Sequence, residues 1–179
     1  NPALTNVDGL ANLTAIGRDL YIDYNDNLEN IEGLASLKTI GRGLNIHRAP
    51  ALTNLDGLRN LERLNALLPG GGLTLYLLDS LEDIDALMGI SELYGPLSIT
   101  NNLNLPNLDG LSGLNRIFGY IQIRNNDALL NIDGLSNVVE YWAESDDTME
   151  ITGNPTLGDL GGLIGLTTWL GNINIYNND

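Results

Sequence analysis

The chain has 179 residues, no cysteine and a formal charge of −15, with 23 acidic residues against 8 basic ones. That balance makes nucleic acid and anionic membrane surfaces poor partners, and leaves cations, basic proteins and neutral glycans open. No stretch approaches a membrane span, nothing at the start reads as a leader, and 43% apolar residues suffice for the core of one domain.

The predicted elements repeat along the chain. One unit reads Leu28-x-x-Ile31-x-x-Leu34-x-x-Leu37-x-x-Ile40-x-x-x-Leu44-x-Ile46, and its apolar positions recur in steps of 24, 28 or 29 residues. One such column is Val7, Ile31, Leu55, Ile84, Leu108, Ile132 and Leu160. A period in this range predicts a repeat solenoid, in which no coil closes a core alone and each buries its apolar side against the next. Only the final pair of each unit alternates apolar with polar, which predicts short strands beginning at Leu20, Leu44, Leu73, Leu97, Ile121, Met149 and Ile173. Stacked coil on coil, they make a continuous parallel sheet of about seven strands. Three residues after each pair come Asn25, Ala49, Leu78, Asn102, Asn126, Asn154 and Asn178, with Asn1 in the same phase. This is an asparagine ladder with two gaps, whose amides can satisfy backbone groups that a tight corner leaves unpaired. Segments such as Asp109-Gly110-Leu111-x-x-Leu114 read as short helical turns opposite the strands.

The pattern resembles the leucine-rich repeat L-x-x-L-x-L-x-x-N. In the form Ile40-Gly41-x-x-Leu44-x-Ile46-x-x-Ala49-x-x-Leu52, with Asp109-Gly110-Leu111-x-x-Leu114-x-x-Ile117, it is more similar to the receptor L-domain variety. Insulin- and EGF-receptor ectodomains and some fungal and microbial surface proteins carry such domains. The resemblance covers the whole chain. It implies a right-handed solenoid that works in extracellular or cell-surface recognition, and it transfers no functional residue. Receptor L domains are flanked by disulfides, so a chain without cysteine points to a microbial surface protein rather than an animal receptor.

Residues 1–179 read as a single repeat domain of about seven coils. Asn1 and Asn178 share one phase and neither end is capped, which predicts a piece of a longer array or, alternatively, self-association end to end. Between ladder positions the units run 24, 24, 29, 24, 24, 28 and 24 residues, a three-coil super-repeat whose long members expand at 65–72 and 142–148.

Four residue sets are candidates for function. On the outward strand face Tyr21, Asp23, Asn45, His47, Tyr76, Tyr120, Gln122, Arg124 and Tyr176 change from coil to coil, as a ligand-binding surface requires; an ordinary hydrated face is the bland alternative. Tyr94, Phe118, Trp142 and Leu170 form an aromatic and apolar rim that either docks a partner or, as large groups in register more often do, folds into the core. An acidic column, Asp8, Glu32, Asp56, Asp85, Asp109 and Asp133, reads as caps for the helical turns, with Ca²⁺ binding as the alternative and no other cofactor or metal implied. It runs beside Asn6, Asn30, Asn54, Asp83, Asn107, Asn131 and Asp159. Finally, His47 is the only histidine, and no nucleophile elbow or metal-spaced cluster exists, so no enzyme is expected. The expected function is an extracellular or cell-surface adhesion module that binds a protein or glycan through its strand face. The alternative is a structural subunit that polymerises head to tail into a filament or sheath.

Overall fold

The computed structural model describes residues 1–64, 71–142 and 146–178. Its main sheet is parallel, with seven strands side by side in chain order: Leu20–Asp23, Leu44–His47, Leu73–Tyr76, Leu97–Thr100, Ile121–Arg124, Thr148–Thr152 and Asn172–Tyr176. The expected register holds throughout, since Leu20, Leu44, Leu73, Leu97, Ile121, Met149 and Ile173 are successive cross-strand partners. A slip of one residue would turn every one of these side chains outward, so the hydrophobic pattern alone pins the pairing. Before each strand runs one 3-10 turn: Asp8–Leu10, Glu32–Leu34, Asp56–Leu58, Asp85–Leu87, Asp109–Leu111, Asp133–Leu135 and Gly161–Leu163. Between strands and turns, Leu28, Ile31, Leu34, Leu37, Ile40, Leu44 and Ile46 are all buried, as are the matching positions of the next three units, while in the last unit Ile173 and Ile175 are exposed. The arrangement is a parallel-sheet repeat consistent with the expected solenoid.

Two devices hold the units at close range. A side chain on Gly57 or Gly134 would run into the carbonyl of Ile31 or Leu108 in the preceding unit, so these turns take no Cβ as they stand, whereas the fourth turn stacks with Ala86 at the same position. The asparagine ladder supplies the other. Asn126 is fully buried; its Oδ1 accepts from the Asn102 backbone N–H at 3.1 Å, and its Nδ2 donates to Ile99 O at 3.0 Å and to Asn154 Oδ1 at 3.2 Å. Asn102, Asn154 and Asn178 repeat the pattern, each reaching back to the unit before it. The gaps are real: buried Ala49 and Leu78 put apolar atoms at the same corner, and Asn25 bonds only Asp23 O of its own unit through its amide.

One feature departs from the sequence reading. The final pair is not the only strand in each unit, because Ala15–Ile16, Thr39–Ile40 and Arg63–Leu64 form a second ribbon, and Glu92–Leu93, Arg116–Phe118 and Glu140–Trp142 a third. Runs this short carry no readable alternation. Of the expansions at 65–72 and 142–148, residues 65–70 and 143–145 lie outside the described residues.

Removing one rung tests the ladder. Asn126→Ala strands the Asn102 N–H in a dry corner and takes the side-chain donor from Ile99 O, while Asn154 Oδ1 keeps the backbone N–H of residue 126; the change is expected to cost about 2–4 kcal/mol by urea denaturation, against at most about 0.5 for half-exposed Gln122→Ala.

Candidate binding face

Each main strand turns alternate residues outward, and parallel register lines them up in rows. One row is Asp23, His47, Tyr76, Thr100, Arg124, Thr152 and Tyr176; its neighbour is Tyr21, Asn45, Thr74, Ser98, Gln122, Glu150 and Asn174. The face therefore holds all the expected ligand-binding residues, Tyr120 lying one residue ahead of its strand. They fall into two groups at opposite ends of the sheet. The central strand between them carries only Ser98, which is buried, and Thr100.

The first group is prebuilt. Arg48 grips Asp23 with two parallel bonds, Nε to Oδ1 and Nη2 to Oδ2, both 2.9 Å, across adjacent units. Its guanidinium carbon lies 3.8 Å from the centre of the Tyr24 ring and 6.0 Å from that of Tyr76, within cation–π range. His47 meets Tyr76 edge to face, with ring centres 6.0 Å apart. The Arg48 hydrogen bonds hold the Asp23 carboxyl below the usual carboxylate range. Burial pushes the His47 imidazole below the usual histidine range, against the pull of Asp23 and with help from Arg48.

The backbone beneath this group is unusual. The residue after each strand is left-handed, and in the later units it is Asn101, Asn125, Gly153 or Asn177, which tolerate that region. In the first three units it is Tyr24, Arg48 and Leu77, with φ of 55°, 48° and 54°. Each costs on the order of 1 kcal/mol, and backbone strain of this kind clusters at functional sites. These are also the units in which Ala49 and Leu78 interrupt the ladder. There Arg48, Asp23 and Tyr24 tie the first two units together from outside.

In the second group Arg124 pairs with Glu150 at 3.4 Å, and the Tyr176 hydroxyl donates to Glu150 Oε1 at 3.2 Å. The two groups share one property. His47 Nε2 and Arg124 Nε, both on the same outward row, are buried without a hydrogen-bond partner, which is costly unless something supplies one.

The other candidate sets turn out differently. The rim is not core: Leu170 is 71% exposed, and Tyr94 and half-buried Phe118 stack on each other outside it, ring centres 4.7 Å apart. Tyr94 is anchored through its hydroxyl to Glu92, which also takes Arg116, and Arg116 continues to Glu140. Such a clamp of charges across three units keeps the rings at the surface. The Trp142 side chain lies outside the described residues. Nor does the acidic column cap the turns, since none of the turns has a side-chain cap at its own start. The neighbouring column does that work: Asn6, Asn30, Asn54, Asp83, Asn107, Asn131 and Asp159 each accept from the N–H two residues on, at 2.7 to 3.3 Å. The carboxylates stay in solvent, and among the described residues no three converge as metal ligands would. Burial raises Asp83 above the usual carboxylate range, helped by the charges of Asp85, Asp56 and Glu82.

Sequence reasoning missed Tyr24 and Arg48. The signal existed as a column of Asn and Gly broken at those positions, but its meaning depends on a positive φ that periodicity does not reveal. No family model, no curated protein and no solved structure matches the chain.

The pH dependence of stability follows from the first group. A histidine whose folded pKa lies below its unfolded value of about 6.5 leaves stability intact above that pH and withdraws it as pH falls toward the folded value. Asp23, with a lowered pKa, keeps its contribution until more acid conditions. The melting temperature is therefore expected to drop between pH 7 and 5, and His47→Gln to remove that part of the drop. The difference between the two proteins isolates His47 from Asp83, whose linkage has the opposite sign.

Proposed function

We propose that the chain is a non-enzymatic recognition module of an exported microbial surface protein, a right-handed solenoid of the receptor L-domain-like leucine-rich type, that binds its partner through the outward strand face. The observation that carries this is a contrast. Interior columns are apolar in every unit and, Tyr141, Met149 and Trp169 apart, aliphatic, whereas both outward rows change residue type at every step between neighbouring strands and hold prearranged tyrosine, arginine and histidine groups. Packing alone explains the first and places no demand on the second. Strained corners at Tyr24 and Arg48, and unpartnered nitrogens on His47 and Arg124, are features that folding would discard if they served only stability.

Capture of the partner tests the reading. Replacing Tyr76, Arg124 and Tyr176 together by alanine is expected to abolish binding to the target surface or glycan while shifting the melting temperature by only a few degrees, as none is an interior residue. Asp109→Asn, on the turn edge, is expected to leave capture unchanged. Undiminished binding by the triple variant moves the site off this face.

A further inference from the structure

The chain is rich in asparagine, yet only two of these residues open an Asn-x-Ser/Thr triplet: Asn12-Leu13-Thr14 and Asn154-Pro155-Thr156. Such a triplet is where an N-linked glycan is attached to a chain entering a secretory pathway, provided that the middle residue is not proline. The two triplets have opposite surroundings. Asn154 is a fully buried rung of the ladder, and its Nδ2 donates to Ile123 O at 3.0 Å and to Asn178 Oδ1 at 3.1 Å, which leaves no room for a sugar on that nitrogen. The transferase meets a chain that is still being made, before burial protects any asparagine. Proline follows the ladder position elsewhere too, at Pro50, so its backbone suits this corner; Pro155 has the second effect of closing the triplet at a rung where a glycan would prevent stacking.

The open triplet is the exposed one. Asn12 lies in the chain reversal just after the first 3-10 turn, Asp8–Leu10, and is exposed; Leu13 packs against the core, and Thr14 is exposed again. At the same place in later units Asn60 and Asn137 give Nδ2 to carbonyls of the unit before, Ala35 O at 2.8 Å and Ser112 O at 2.9 Å, and two residues on they have Glu62 and Val139 rather than a hydroxyl. Asn12 Nδ2 has no hydrogen-bond partner among the described residues, so a sugar joined to it displaces no contact of the fold.

We propose that Asn12 is an N-glycosylation acceptor. The step joins Asn12 Nδ2 to the anomeric carbon of an oligosaccharide carried on a polyprenyl diphosphate. The carbon–oxygen bond to the diphosphate breaks, the lipid diphosphate leaves with the bonding pair, and the amide nitrogen gives up one proton; nothing is oxidised or reduced. The Thr14 hydroxyl is the group the transferase reads two residues on. The glycan stands on the turn side of the first unit, away from both outward strand rows, so modification and capture of a partner by the sheet do not compete. The inference shares with the recognition reading only passage through a secretory pathway, and it is decided by a different measurement.

That measurement is intact mass. The 179-residue chain is directed by a cleaved leader into the secretory pathway of a yeast or insect cell, and secreted and retained protein are both weighed, so that a folding failure does not hide the answer. Most molecules are expected to carry the added mass of one glycan, removed by an amidase that releases N-linked glycans and leaves an aspartate at the acceptor position. Asn12→Gln and Thr14→Ala are each expected to lose the added mass completely without lowering the melting temperature, since both side chains are exposed, and Thr14→Ser to keep it. A parent chain without added mass overturns the proposal. So does a glycan that survives Asn12→Gln or ignores Thr14→Ala. Loss or retention of capture by the triple variant at Tyr76, Arg124 and Tyr176 bears on the recognition face alone.

Discussion

Every unit of this chain depends on its neighbours for what it cannot supply itself: an apolar surface on each side and hydrogen-bond partners at its corners. An isolated unit of 24 residues would leave its inward leucines in water, and packing it without partners for its corner N–H and C=O groups would bury those groups unpaired. Stacking removes both penalties at once, and the buried amides convert a corner of three neighbouring chain segments into a continuous hydrogen-bonded line. Gly57 and Gly134 belong to the same close approach, since a Cβ at either would meet a carbonyl of the preceding unit.

That dependence explains why the chain's architecture was so legible and its chemistry was not. Inward columns, strand phase, register and the ladder all answer to a repeating boundary condition, and a repeated condition writes itself into the sequence many times over. The second and third ribbons did not, as pairs such as Thr39–Ile40 are fixed by stacking after the main sheet has formed and leave no alternation to read. The capping function was assigned to the wrong column for a local reason. Asp and Asn both cap, but the acidic column contains Gly161 where a side-chain cap is impossible, whereas the neighbouring column is Asn or Asp in every unit. On the outward strand face, alternation is enough to say which residues share that side of the sheet, yet it does not reveal the contacts that organise them. Arg48 and Tyr24 sit on corners, outside the alternating segment, and only a left-handed backbone turns them toward Asp23.

The two halves of the sheet solve the corner problem differently. From Asn102 onward, buried amides hold successive units from within, and the left-handed residue beside them is Asn or Gly. In the first units apolar Ala49 and Leu78 replace the amides, the left-handed residues are Tyr24, Arg48 and Leu77, and a bidentate ion pair with a ring against it spans the gap from outside. An exposed ion pair of this kind contributes little to stability, whereas a satisfied buried amide contributes more. The exchange therefore moves polar groups from the interior to the surface at some cost to the fold. A cost carried at one end of an otherwise regular stack, where the outward row also gathers His47 and Tyr76, is what a site selected for contact rather than for stability would show.

Charge distribution reinforces that division of the surface. Six of the eight basic residues lie in ion pairs, and the surplus of 15 negative charges is carried in part along the turn edge by Asp8, Glu32, Asp85, Asp109 and Asp133. A uniform negative edge keeps copies of the chain apart and repels polyanions over roughly a Debye length, about 8 Å at physiological salt. The strand face, with its cations and anions matched, projects a much weaker field. For a partner without charge, electrostatics favours no surface over another, so on the proposed reading selectivity rests on side-chain variety, which the outward strand rows have and the repetitive acidic edge lacks.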